Sequence, residues 1–318
     1  MIAGEALSRE LTGSPSEIAW PELPLRAWRE TYDTLHRWTQ LLGKIRLALT
    51  PPINHWWNVP LYVSARGLTT STIPYGERWF ELELDFIDDA LHLRTNDGGD
   101  RTVPLAARSV AAFYGETMSA LHAAGIACRI WTVPVECEDV IRLDRDERHQ
   151  AYDKRYVMRL WRILAMSSAI LTTFRARFIG KCSPVHLFWG SFDLAVTRFS
   201  GRRAPVREGA NAIEREAYSH EVSSVGWWPG DSRLEQPAFY SYAAPEPPGF
   251  ADAVISTPHT YYHPTLHGFY LHYDDVRHAR DPAALILDFC QTTYEAAANL
   301  GRWDRAELER PVDASSTR

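Results

Sequence analysis

The sequence predicts an α+β fold in which an antiparallel sheet is flanked by helices and two similar halves form one domain. Segments with apolar residues at three- and four-residue steps are typical of amphipathic helices. Short segments rich in aromatic residues, separated by turn-forming residues, are typical of strands. The order of helix, strands and closing helix occurs twice in the 318 residues, which favours a tandem duplication with His55 and His186 in comparable positions. Convergence of two unrelated halves is the alternative.

The first half is predicted to begin with a helix over residues 28–49 that ends before a pair of prolines. Strands are expected over 56–74 and over 80–86, where apolar and acidic residues alternate. A hairpin is expected around residues 96–99, and a second helix over 107–124.

The second half repeats this plan with a long helix over residues 151–178 and a final helix over 282–300. Short strands are predicted between these helices at 185–189, 192–199, 217–225, 238–244 and 268–273. The sheet is therefore expected to be completed by strands from both halves.

The domain limits follow from this pattern. We expect a disordered leader over residues 1–19, a single domain over 20–305 and a flexible tail over 306–318. Within the domain, the halves cover about 20–130 and about 150–305. A cytoplasmic protein with no membrane partner is expected, because the start of the chain lacks a basic cluster followed by an apolar segment.

The charge of the chain argues against nucleic acid as a partner, since the net charge is −6. The balance is reversed locally, because residues 175–207 contain seven basic residues and one acid, Asp193. This stretch is explained either by a small anionic ligand or by a solvated basic loop. The four cysteines lack the spacing of a metal or redox motif, so reduced core thiols are expected.

Common catalytic motifs are missing or broken. The stretch FIGKCS resembles the end of a phosphate-binding loop, but Arg175 replaces its first glycine and Cys182 replaces its magnesium-binding hydroxyl. The sequence contains no GxGxxG after a strand, no HExxH and no GxSxG. Nucleotide-dependent dehydrogenases and common hydrolases are therefore disfavoured.

The candidate catalytic residues lie in the second half. His186, His220 and Glu221 offer the ligands of a three-residue zinc or iron site, and the same groups without a metal can serve as acid and base. Glu221 or Asp193 is expected to orient the imidazoles. Histidines buried with structural partners are the alternative, and the metal and oligomeric state stay open.

A second set of residues is expected to bind the substrate. Arg198 stands among apolar strand residues, so it requires either a ligand carboxylate or a structural acid, and Arg202 is expected to help bind an anion. Aromatic and polar side chains just after the first helix and in the second half are expected to line the ligand pocket, with core packing as the alternative. These residues are His55, Trp56, Trp57, Asn58 and Trp189.

The function expected from this pattern is that of a small-molecule enzyme, with a His/Asp/Glu/Arg site between the two halves and an anionic substrate. The reaction class is not specified by the sequence. A non-catalytic scaffold that binds a ligand or a partner protein is the alternative, favoured if the tryptophans face solvent.

The chain resembles an uncharacterised bacterial family, domain of unknown function 5996. The resemblance extends over nearly the whole chain, and its most specific stretches are HWWNVPLYVSARGLTTSTIPYG, GKCSPVHLFWGSFDLAVTRFSGRRAP and EAYSHEVSSVGWWPG. It implies a complete single-domain member of that family. It implies no activity, substrate or catalytic residue.

Overall fold

Each half of the chain contains a long helix, a group of antiparallel strands and a further helix. A computed structural model describes residues 20–206 and 208–311. The helices are α1 (Leu25–Leu49), α2 (Val110–Ala123), α3 (Lys154–Ala176), α4 (Ala212–Ala217), α5 (Tyr273–Arg277), α6 (Pro282–Leu300) and α7 (Arg305–Leu308). The strands are β1 (Tyr62–Val63), β2 (Gly67–Thr69), β3 (Ile73–Tyr75), β4 (Arg78–Asp85), β5 (Ala90–Thr95), β6 (Asp100–Pro104), β7 (His186–Phe188), β8 (Asp193–Arg203), β9 (His220–Trp228), β10 (Ala238–Ala244), β11 (Tyr261–His263) and β12 (Gly268–His272).

The strands form two six-stranded antiparallel sheets, one from each half. The first has the order β1-β2-β4-β5-β6, with β3 paired to β4, and the second has the order β11-β12-β10-β9-β8-β7. The sheets meet beside their first strands, where Leu61 and Leu187 form an antiparallel bridge. The amide of each residue donates to the carbonyl of the other, at 2.9 and 2.8 Å. The predicted single sheet is thus two sheets joined at one point.

Helix α1 is the centre of the fold. Its spacing of apolar residues predicted one buried side, but every residue from Thr34 to Arg46 is buried. The segment between the halves covers the polar side of the helix: Arg37 forms an ion pair with Asp146 at 3.1 Å, and the Gln40 amide donates to the Val135 carbonyl at 2.7 Å. A helix can be buried all round when its polar groups find such partners.

Helices α3 and α6 pack on one face of the second sheet. Phe174 of α3 and Tyr294 of α6 contact Arg198 of β8 there. Among the described helices, α3 has the length and composition of a membrane span, and 44% of its apolar segment is buried within the fold. Core helices of soluble proteins and membrane spans share these properties.

The observed boundaries correct some of the predicted ones. The strand expected from residue 217 begins at His220, because Asn211 and Glu214 form a capping box that starts helix α4 just before it. Helix α7 (Arg305–Leu308) extends into the predicted tail, which was expected to begin at residue 306, and Glu309 pairs with Phe178. The predicted leader over 1–19 and the end of the tail lie outside the described residues.

Candidate functional site

Three basic side chains from separate parts of the chain meet near the join of the two halves. His55 lies in a 3₁₀ turn after α1, Lys181 precedes β7, and His220 begins β9. Lys181 Nζ lies 2.6 Å from His55 Nε2, and the rings of His55 and His220 are 5.7 Å apart between centroids. We call this group, together with Arg203, the basic cluster.

Local backbone geometry fixes His55 in this position. His55 and its neighbour Trp56 adopt left-handed φ values of 59° and 61°, which are unfavourable for residues with bulky side chains. Helix α4 holds the turn, because its Ala217 carbonyl lies 3.1 Å from His55 Nδ1 and its Ile213 carbonyl accepts from Trp56 Nε1 at 3.2 Å. Such strained conformations persist where the surrounding contacts determine them.

These contacts define the tautomer of the His55 ring. A carbonyl oxygen can only accept, so Nδ1 carries the proton that is donated to Ala217. In the neutral ring Nε2 is then an acceptor, and the Lys181 amine donates to it. A proton can therefore pass along the contact between Nζ and Nε2.

Aromatic rings form one side of the basic cluster. Lys181 Nζ lies 5.5 Å from the ring centroid of Trp57 and 4.9 Å from that of Phe199. The His55 ring lies 4.6 Å from that of Phe199. Rings at this distance attract a cation while they shield it from water.

The lysine and arginine of the basic cluster have no carboxylate partner among the described residues. Arg203 stands opposite His220 in the pairing of β8 with β9. Neither Lys181 nor Arg203 forms an ion pair with any residue of 20–206 and 208–311. Burial lowers the pKa of Lys181, His55 and His220, and the charge of Lys181 adds to the decrease for both imidazoles.

His186 does not join the basic cluster. In the strand pairing, His186 of β7 lies opposite Ala195 of β8, and Ala195 lies opposite Gly226 of β9. Gly226 follows His220 by six residues along β9. The two histidines therefore share a face of the sheet but are separated by about 20 Å along the strand direction. His186 is fully buried, and neither ring nitrogen has a hydrogen-bond partner in the part of the chain that the structure describes. Burial lowers its pKa to about 3.

The predicted orienting acids bind other groups. Glu221 forms an ion pair with Arg202 at 2.6 Å, and Arg202 also donates to the Gly301 carbonyl. Asp193 is buried and accepts hydrogen bonds from Ser191 and Tyr240, while burial raises its pKa. The predicted three-ligand metal site is therefore not formed by His186, His220 and Glu221.

Arg198 lies on the opposite face of the second sheet, because it follows Leu194 and Val196 in alternation along β8. Its guanidinium lies 3.5 Å from the ring centroid of Phe174 and 4.3 Å from that of Tyr294. One amine donates to the Phe174 carbonyl, and burial lowers the pKa of Arg198 to about 10. No carboxylate of the described residues forms an ion pair with Arg198, so the structural acid that the sequence suggested is not found among them.

Most of the remaining residues predicted to line the ligand pocket instead make contacts within the fold. The Trp189 indole donates to the Val59 carbonyl at 2.9 Å and packs against Gly43. Asn58 is buried and exchanges hydrogen bonds with Thr50. Only Trp57 of this set lies against the lysine of the basic cluster.

A different group has the geometry of a metal site. Among the described residues, ligand atoms of Asp85, Asp88 and His92 lie within 4.8 Å of one another. Arg66 forms ion pairs with both carboxylates, at 2.7 Å for Asp88. The guanidinium already supplies the positive charge at this site, so the donor set does not favour a divalent cation.

Sequence reasoning missed Lys181 and Phe199. Lys181 belongs to the stretch FIGKCS, which lacks the first glycine and the hydroxyl of a phosphate-binding loop and therefore did not indicate a binding site. The useful signal was the excess of basic residues over 175–207, since Lys181 and Arg203 come from that stretch.

These features define a class: an α+β protein with two six-stranded antiparallel sheets and a basic, aromatic-lined cluster formed by residues of both halves. The chain belongs to the family of unknown function DUF5996, whose model matches residues 20–310. The resemblance inferred from the sequence is thereby confirmed. No curated protein and no solved structure matches the chain.

Proposed function

We propose that the chain is an enzyme for small anionic molecules and that the basic cluster binds the anionic group of the substrate. The observation that carries the proposal is the 2.6 Å contact between Lys181 Nζ and His55 Nε2, in a cluster without a carboxylate partner among the described residues. Basic groups held together without a counter-charge repel one another, and a bound anion relieves that repulsion.

The chemistry of the basic cluster supports acid and base catalysis. An imidazole changes its charge near neutral pH, and an amine with a lowered pKa is a better base or nucleophile at that pH. His55 and Lys181 share a hydrogen bond, so a proton released by one can be accepted by the other. The predicted partners of this reaction, His186 and Asp193, have no part in the proposal.

Titration calorimetry with inorganic phosphate at pH 7 tests the binding. We expect wild-type protein to bind phosphate and Lys181→Gln to bind it at least about tenfold more weakly. Lys154→Gln is the matched control, because Lys154 is paired with Asp89 far from the basic cluster in sequence. Equal affinities of the two variants, or no binding by wild-type protein, would contradict the proposal and favour a scaffold.

A histidine NMR titration gives a second readout. Bound phosphate favours the charged imidazole, so it is expected to raise the pKa of His55 and His220. The ring signals of an exposed histidine such as His122 should not respond to phosphate. A uniform response of all three would indicate nonspecific screening.

We also infer that the two halves arose by duplication of one unit. The inference is supported by the reciprocal hydrogen bonds of Leu61 and Leu187, which are the contacts expected of equivalent residues across a two-fold axis. With these leucines equivalent, His55 corresponds to Lys181, which differs from the predicted correspondence of His55 with His186. A solved structure of a relative that contains a single half, assembled as a symmetric pair, would test the inference.

A further inference from the structure

Lys181 combines three properties of a lysine that reacts with carbonyl compounds. It is partly exposed, its amine contacts an imidazole nitrogen at 2.6 Å, and aromatic rings shield one side. A lysine becomes nucleophilic when desolvation or a neighbouring cation favours its neutral form. Desolvation is the condition met here, because Nζ is partly buried against Trp57 and Phe199, at 5.5 and 4.9 Å from their ring centroids.

We infer that Lys181 forms an imine with an aldehyde or ketone that also carries an anionic group. This inference rests on the proposed anion site and names the class of its substrate. The basic residues bind the carboxylate or phosphate of such a molecule, which places its carbonyl group beside Nζ.

The reaction needs no oxidant and no metal ion. The Nζ lone pair forms the C–N bond while the carbonyl π electrons move to oxygen. One proton leaves the nitrogen for His55 Nε2 and passes to that oxygen. The nitrogen lone pair then forms the C=N bond as the C–O bond breaks. The oxygen leaves as water after it takes a second proton, which the nitrogen gives up through His55 Nε2.

The geometry assigns separate tasks to the two histidines. His55 is the proton carrier, because its Nε2 contacts the reacting amine and its Nδ1 proton is already donated to Ala217. His220 lies 5.7 Å from it between ring centroids, Arg203 adds positive charge beside His220, and neither forms an ion pair with a described carboxylate. Their role is to bind the anionic group of the substrate.

Reductive trapping tests this inference on the full chain. The sequence contains three lysines, Lys44, Lys154 and Lys181, so peptide mass spectrometry reports each of them. Glyoxylate, an anionic aldehyde, is added with sodium cyanoborohydride at pH 7, and propionaldehyde serves as the neutral aldehyde. We expect glyoxylate to modify Lys181 at least about tenfold faster than Lys154, and phosphate to suppress that reaction.

Two variants separate the chemistry from folding. His55→Asn is expected to slow the modification of Lys181 while the modification of Lys154 in the same sample is unchanged. Lys154→Arg leaves the rate at Lys181 unchanged. The sample is accepted as folded when its circular dichroism matches that of wild-type protein.

The outcomes distinguish the two proposals. Phosphate binding together with equal modification of Lys181 and Lys154 overturns the imine inference and leaves the anion site. Fast modification of Lys181 by propionaldehyde and glyoxylate alike, without phosphate binding, overturns the anion site. Slow modification of Lys181 by both aldehydes overturns the imine inference.

Discussion

His186 offers a test of how burial controls stability. The side chain is fully buried, and neither ring nitrogen has a hydrogen-bond partner. Burial lowers its pKa from 6.5 to about 3, and the nearby charge of Arg46 acts in the same direction. The folded protein therefore keeps this ring neutral at a pH where the unfolded chain protonates it.

The sign and size of the effect follow from linkage. As pH falls below 6.5 the unfolded state takes up a proton that the folded state does not, so stability decreases until the pH approaches the folded pKa. Each pH unit contributes about 1.4 kcal/mol, so the loss from this group between pH 6.5 and pH 5 is about 2 kcal/mol. His36, whose pKa burial lowers to about 4, adds a loss of the same sign.

The variant His186→Leu isolates the contribution of this ring. Urea unfolding followed by tryptophan fluorescence at pH 7.5 and pH 5 should show a loss of stability about 2 kcal/mol smaller than in wild-type protein. At pH 7.5 the variant should be at least as stable, because two unpartnered nitrogens are removed. His122→Gln, at an exposed histidine of α2, is the control. If His186→Leu and wild-type protein lose the same stability on acidification, the argument from burial is wrong.

Substitutions at three further positions test the packing by urea unfolding. Arg198→Lys should be less stable than Arg198→Met, because an ammonium cannot stack on the rings as the guanidinium does; the reverse order would show that charge alone matters. Asp146→Ala should cost about 3–5 kcal/mol, since it leaves the buried Arg37 without its ion pair; a loss below about 1 kcal/mol would contradict this. Gly43→Ala should cost about 1–3 kcal/mol or more, because its methyl group would overlap the Trp189 indole; a neutral change would show that the indole moves freely.

The sequence predicted the helices of this fold well. The final helix over residues 282–300 has the predicted limits, and α2 lies within the predicted range 107–124. Periodicity reports on one helix at a time, so it could not predict that α1 is buried on all sides. Acidic segments between structured parts of a chain are typically solvated, yet Asp146 between the two halves is fully buried against α1.

The candidate site was predicted in part. His55, Trp57 and His220 were selected from the sequence and lie together, at 5.7 Å between the two imidazoles. Alternation along a strand gives the face of a side chain but not its position along a neighbouring strand, so His186 was grouped wrongly with His220. The same lack of register information hid Lys181, which reaches the site from a loop.

The proposed duplication explains why the basic cluster lies where the halves meet. Equivalent residues contact each other across a two-fold relation only when they lie on its axis. Leu61 contacts Leu187, and the residue six positions before each leucine, His55 or Lys181, contacts its counterpart at 2.6 Å. Under the proposed duplication, identical residues at this position would supply only imidazoles or only amines. The pairing of a proton carrier with a nucleophile then requires that at least one half has changed at this position.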